Sequence, residues 1–322
     1  MKEISILDIC GVQVGHAQDE EAGTGCTVLL FPGLCPAGCD IRGGGPASRE
    51  TPLTDPRMAS QGLNGVLLSG GSAFGLDAAG GVLRYLEERG IGFDVGVTKV
   101  PLVCESCVFD LAVGDFRVRP DQAMAYAACQ DAQRGLLREG NVGVGTGCTV
   151  GKLLGASYAM KSGVGICAVQ VGSIQVGAVV AVNALGDVYD IDTGAQLAGL
   201  LGEDGASLRS TERTSYAAIE RPVENAFVGN TTIGCVVTNG KFSKAEMNKL
   251  AAMASNGYAR TIRPVNTTAD GDSLYAVSVG REPAALDVVG TLAAYVTGRA
   301  VNRAVLTAKG AYGLKAVCDL LR

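Results

Sequence analysis

Residues 227–238 read Phe227-Val228-Gly229-Asn230-Thr231-Thr232-Ile233-Gly234-Cys235-Val236-Val237-Thr238, an Asn and two threonines set directly before an almost unbroken apolar run. One reading is local, because Thr is β-branched and suits the entry to a strand. The other is chemical: a cut between Asn230 and Thr231 releases a threonine with a free amine. A Thr hydroxyl is a weak nucleophile without a nearby base. The α-amine of an N-terminal residue, with a reference pKa of about 7.7–8.0, supplies one close to neutrality. Attack of the Thr231 hydroxyl on the Asn230 carbonyl is the route to that cut.

The surrounding sequence favours the chemical reading. Residues 202–226, GEDGASLRSTERTSYAAIERPVENA, are charged and poorly periodic, as expected of an exposed linker running into a buried strand. The chain has a single His, His16, in the acidic, turn-like VQVGHAQDEEAG, where a surface or capping role is expected. Histidine-based triads and metal sites are therefore disfavoured.

Composition sets the frame. Of 322 residues, 47% are hydrophobic and 18% charged, enough for a sizeable core in one catalytic domain. A net charge of -5, few aromatics and no Trp leave neither a basic field nor a stacking platform for nucleic acid. No long apolar run reads as a membrane span, and MKEISILDICGV, with Glu3 and Asp8, does not read as a signal peptide. Eleven cysteines without an export signal point to a reducing, cytoplasmic setting. Cys35, Cys39, Cys104 and Cys107 have spacings that a zinc site could use, which keeps a non-catalytic metal-binding protein as a rival reading. The apolar context VPLVCESCVFDLAVG instead makes Cys104 and Cys107 core residues, and neither metal nor cofactor is expected.

Along the chain, strands over ISILDICGVQVG and TGCTVLLFP precede the loop RGGGPASRET. Val66–Leu68 read as a strand, followed by a helix with Ser72 at its N-cap and Gly90 as its stop. A second helix is expected from Pro120 to about Glu139. Gly151-Lys152 imitates a phosphate loop, but Thr146 stands where the loop needs Gly and Leu153 where it needs Ser or Thr. Residues 164–192 read as a strand pair interrupted at Asn183. After the strand Ile233–Val237, Ser243 and Glu246 form a capping box with Phe242 stapled on Met247, and that helix is expected to stop at Asn256-Gly257. ARTIRPV reads as a strand and Pro283 to about Ala304 as a helix. Strands layered with helices in both halves predict an α/β, αββα sandwich. A second Asn-Thr-Thr, at residues 266–268, precedes a turn rather than a strand. Asp270 and Asp272 in that turn could hold the new ammonium and orient the hydroxyl.

The motifs LLSGGSAFGLDAAGGVLRYLEERG, VGHAQDEEAGTGCTV, RGGGPASRET, VFDLAVGD and GNTTIGCVVT, in this order, resemble the DmpA-type aminopeptidase family over nearly the whole chain. That family includes L-aminopeptidase/D-amidases, β-aminopeptidases and nylon-oligomer hydrolases. The resemblance implies an Ntn-hydrolase-like αββα fold and self-cleavage into residues 1–230 and 231–322. It also implies a small peptide or amide substrate and a homo-oligomer, a tetramer of processed units. Carried over by motif, Thr231 is the nucleophile, Asn230 the residue before the cut, Asp270 and Asp272 its acidic neighbours, and Lys152 and Asn183 groups around nucleophile and oxyanion. The Asn-Thr junction and the Asp-x-Asp form resemble the nylon-hydrolase branch. Phe109 stands where several members place a substrate-site tyrosine, so no phenol is available there. An acyltransferase of the ornithine acetyltransferase kind, which also self-cleaves at Thr, is the alternative enzyme.

Overall fold

The computed structural model describes residues 1–217, 219 and 229–320. Two sheets dominate these residues. The larger has six strands, in the order Lys2–Glu3, Val164–Val171, Ile174–Asn183, Thr231–Gly240, Ser273–Glu282, Ala37–Ile41. Thr231–Gly240 runs parallel to Ser273–Glu282 and antiparallel to Ile174–Asn183. The smaller has the order Gln13–Asp19, Thr24–Cys35, Leu63–Ser69, Val103–Cys107, Ala47–Arg49.

Period-two alternation sorts the side chains into layers. Ile233, Cys235 and Val237 face the core between the sheets with Val179, Ala181, Leu29, Leu68 and Cys104. Val236, Ala178, Val180 and Val182 face outward, under the helices Lys244–Ala254 and Leu286–Leu306. On the far side, Val28, Leu67 and Val103 pack beneath the helices Ala79–Glu87 and Gln122–Ala132. Strands covered on both faces must be apolar throughout, which is why the central strands read as continuous hydrophobic runs. The result is the Ntn-hydrolase-like αββα sandwich.

Local rules account for the elements that present the site. The hairpin Val164–Asn183 closes through Gly172-Ser173, with Gly172 at φ 60 in the two-residue turn. The Ser243–Glu246 capping box forms, and Phe242 and Met247 are buried in the same cluster.

Several elements differ from expectation. Ser72 does not cap a helix: Gly71, at φ 79, leads into a 3-10 turn over Ser72–Asp77, and the α-helix begins at Ala79. The second helix spans Gln122–Ala132, because Gly135 takes φ 63 and turns the chain away. Asn256-Gly257 starts another helix, Asn256–Thr261, instead of a stop. A Cβ on Gly257 would lie 2.5 Å from the Ala294 carbonyl oxygen, so this Gly serves close helix packing. ARTIRPV supplies the end of that helix and only a short strand, Ile262–Arg263. Within the expected linker, Leu208–Arg209 pairs with Leu200–Leu201 and Thr211–Ala217 is helical. Buried Asp187 anchors that helix by accepting from the Thr211 N–H and hydroxyl at 2.7 and 2.6 Å. Residues 218 and 220–228 of the linker and junction lie outside the described residues.

Candidate active site

One end of the central strands gathers all the expected polar residues. Thr231, the first residue of its strand, stands opposite Asn183, the last residue of the antiparallel neighbour. Both are buried. The Thr231 hydroxyl donates to the Asn230 carbonyl oxygen, immediately before it in the chain. The same oxygen accepts the Gly271 N–H at 2.8 Å. The carbonyl of the Asn230–Thr231 bond thus carries a hydroxyl from its own chain and a fixed backbone donor together.

Asp270 and Asp272 flank Gly271. Asp272 accepts the Thr232 N–H with one carboxylate oxygen and the Asn266 N–H, at 2.9 Å, with the other. Asp270 accepts from the Thr267 N–H and hydroxyl at 2.8 and 2.6 Å. Burial, and then the Asp270 charge, push the Asp272 carboxyl up to about 7, against the pull of the two N–H donors and Lys152. The turn is clasped by Arg42-Gly43-Gly44-Gly45: the Gly43 and Gly45 N–H groups donate to the Asp272 and Asp270 carbonyls, and Gly44 N–H to that of Thr267. A Cβ on Gly43 would lie 2.2 Å from the Asp272 nitrogen and one on Gly44 2.7 Å from the Thr268 Cα, so the first two glycines are required by close approach.

Lys152 reaches the same place from the loop that imitated a phosphate site. Its N–H and that of Gly151 bond the carbonyls of Leu185 and Gly186, and Gly151, at φ 72, lies too close to Gly199 for any side chain. The Lys152 ammonium donates to the Asn183 carbonyl and side-chain oxygens, both at 2.9 Å, and to the Gly229 carbonyl at 3.3 Å. Burial pulls its pKa down to about 7, while Asp270, Asp272 and Asp110 act in the opposite direction.

Asn183 is bonded through both ends of its side-chain amide. Its oxygen also accepts from the Thr149 N–H and hydroxyl, and its nitrogen donates to the Phe109 carbonyl at 2.8 Å. The donor on the Asn230 carbonyl is Gly271, not Asn183. The Phe109 ring packs on Gly229, where a Cβ would come within 2.6 Å of it, so Phe109 lies just ahead of the Asn230–Thr231 bond.

Three residues lay outside the sequence expectation. Gly271 acts through its backbone and has no side chain to read. Thr149 and Asp110 support the site from behind: Asp110 accepts from Thr24 and Gly71 at 2.6 and 2.7 Å. A cavity of about 300 Å³ opens beside this cluster, with Thr149 and Lys152 on its wall among Ala112, Val113, Ala159 and Leu314.

His16 is corrected. It is 3% exposed, on the strand Gln13–Asp19, with its Nδ1 2.9 Å from the Thr27 hydroxyl. Burial and Arg138 depress its pKa to about 4, and its hydrogen-bond partners are Asp131 and Thr27, on the smaller sheet's side of the sandwich from the Thr231 strand. Cys35 and Cys104 are core residues between the sheets, and the Cys104 thiol donates to the Glu50 carbonyl. Among the described residues, no three His, Cys, Asp or Glu side chains gather to hold a metal ion.

Comparison with known proteins gives the family and the fold. The profile described as peptidase family S58 matches residues 5–318. The chain belongs to peptidase family S58. An uncharacterized aminopeptidase of Mycobacterium leprae is 38% identical, covering 98% of this chain and 94% of its own. A 6-aminohexanoate-oligomer endohydrolase of Kocuria sp. is 30% identical, covering 86% and 75%. The solved L-aminopeptidase D-Ala-esterase/amidase of Ochrobactrum anthropi superposes with a TM-score of 0.71 at 19% identity, over 94% of this chain and 86% of that one. A Burkholderia sp. β-aminopeptidase gives 0.68 at 18%, over 98% and 92%. The Ochrobactrum anthropi structure is a variant of the Ntn-hydrolase fold. S58 membership makes the protein a threonine-nucleophile hydrolase of peptide and amide bonds. No helix among the described residues is long and apolar enough to cross a membrane.

Proposed function

We propose that this S58 hydrolase cuts itself between Asn230 and Thr231 and then uses Thr231 on external amides. The observation that carries the reading is the shared occupancy of the Asn230 carbonyl oxygen by the Thr231 hydroxyl and the Gly271 N–H. Attack of Thr231 Oγ1 on that carbonyl carbon places negative charge on an oxygen that already faces a preorganised donor. The C–N bond then breaks toward the nitrogen, which takes the hydroxyl proton, and water hydrolyses the ester. Asn230 is left as a carboxylate and Thr231 as a free amine.

In the mature site the Thr231 amine takes the hydroxyl proton during attack on a substrate carbonyl and returns it to the leaving amine. Gly271 N–H holds the oxyanion, Asp270 and Asp272 hold the ammonium form, and Lys152, fixed by Asn183, opposes them. Departure of the Gly229–Asn230 end uncovers the Phe109 ring as a substrate contact. Peptides, amino acid amides and amide-linked amino acid oligomers are the substrate classes that the relatives suggest. Processed units are expected to assemble as a cytoplasmic homo-oligomer.

Intact-mass analysis tests the core of this. The parent should appear as residues 1–230 and 231–322 and hydrolyse amides, and Thr231→Ala should remain one inactive chain. An active parent that stays uncut would overturn the mechanism.

A further inference from the structure

Tyr312 adopts φ 54, a left-handed conformation that a bulky residue enters only when its surroundings impose it. It sits in a tight turn where Ala311 and Leu314 pair, and its phenol donates to the Glu20 carbonyl at 2.6 Å. Tyr312 lines the 300 Å³ cavity at Lys152, together with Gly313 and Leu314. It also lines a second cavity of about 530 Å³, bordered by Glu20, Glu139, Asn141, Thr307 and Lys309. Both linings are mixed: the first cavity sets Ala112, Val113, Ala156, Ala159 and Leu314 beside Thr149, Lys152 and Ser157, and the second sets Val142 and Ala311 beside the charged Glu20, Glu139 and Lys309.

We propose that Tyr312 is a specificity-determining partition that ends the substrate cavity and restricts the enzyme to short amides of aliphatic amino acids. The first cavity is at the lower end of the size of small-molecule sites, room for one aliphatic unit and a small leaving group. Beyond Tyr312, the Glu20 carboxylate and the Lys309 ammonium suit the charged end of a longer oligomer, while Glu139 is held by Arg303. The bond to Glu20 holds the ring in place, and the left-handed backbone aims it at the boundary. This rests on the hydrolase reading above, with its substrate placed in the cavity that Lys152 and Thr149 line.

The test compares kcat/KM for alanine 4-nitroanilide and for an alanine tetramer, both followed by loss of substrate. Tyr312→Gly removes the ring at a backbone conformation that Gly takes freely. It should raise the tetramer-to-anilide ratio by about tenfold or more, the scale on which pocket shape discriminates substrates. Tyr312→Phe, which keeps the ring, should hold the parent ratio. Should Tyr312→Gly fail to process, Tyr312→Asn carries the same comparison, since Asn tolerates the left-handed region. A processed, active variant without the ring that keeps the parent ratio overturns the proposal and leaves the hydrolase reading standing. A processed parent that hydrolyses other amides but neither alanine probe overturns this proposal alone, whereas a processed parent that hydrolyses no amide refutes the hydrolase reading and this proposal with it.

Discussion

A single methyl group at Gly271 tests whether the Thr231 hydroxyl must sit where it does. A Cβ there would lie 2.8 Å from Thr231 Oγ1 and 2.9 Å from the Gly45 carbonyl oxygen. Ordinary contact begins at about 3.5 Å, so the hydroxyl must retreat by roughly 0.7 Å or the turn must yield. Misplacing a reacting group by about 1 Å costs on the order of 100-fold in rate. Overpacking a filled site costs about 1–3 kcal/mol of stability. Gly271 is not in the left-handed region, so Ala fits its backbone and keeps the N–H donor. Gly271→Ala should therefore fold, melt somewhat lower, and process about 100-fold more slowly than the parent. Gly45→Ala is the control, because the nearest atom to its Cβ is the Asp270 oxygen at 3.9 Å. Freshly purified chains are followed by intact mass, scoring residues 1–230 and 231–322 against time. A folded Gly271→Ala protein that cuts itself at the parent rate would refute the reasoning. Equal slowing in Gly45→Ala would trace the effect to the loop rather than to the hydroxyl.

The pH profile tests the charges around the nucleophile. In processed enzyme, Lys152→Met should move the acidic limb of kcat/KM to higher pH, because the cation that depresses the Thr231 amine is gone. Asp272→Asn should move it lower, and limbs that stay put in both variants would make these charges structural. His16, held neutral to about 4, leaves the unfolded chain binding more protons as pH falls from 6.5 to 4. Stability therefore falls across that window, by about 3 kcal/mol in full. Urea melts at pH 7 and pH 4 should show a smaller acid loss in His16→Gln, and an unchanged loss would clear His16 of that role.

What could be read in the sequence was what side chains and apolar runs announce. Thr231 stood out because a polar pair met a buried strand, and Asp270 and Asp272 because two carboxylates shared one turn. Lys152 stood out as a cation left over when the phosphate loop failed. Gly271 was invisible, since its contribution is an N–H that every residue except Pro carries. The burial of His16 was hidden because its strand is flanked by acidic turns and its cover comes from residues distant in sequence, Thr27, Asp131 and Arg138. Gly135 and Gly257 show the limit of punctuation: one Gly ended a helix earlier than its periodicity suggested, and the other let two helices touch.

The strand order of the larger sheet has a consequence for the life of the mature protein. Thr231–Gly240 and Ser273–Glu282 lie between Ile174–Asn183 and Ala37–Ile41. A cut before Thr231 assigns those two inner strands to one fragment and the strands on either side to the other. The sheet is then complete only as a two-chain object, although it was assembled by one chain. Before the cut, refolding is unimolecular and independent of dilution. Afterwards the same sheet re-forms only through an encounter of two molecules, each missing the neighbours its strands need. Processing thus acts as a ratchet, and the endurance of the mature enzyme rests on how slowly it unfolds.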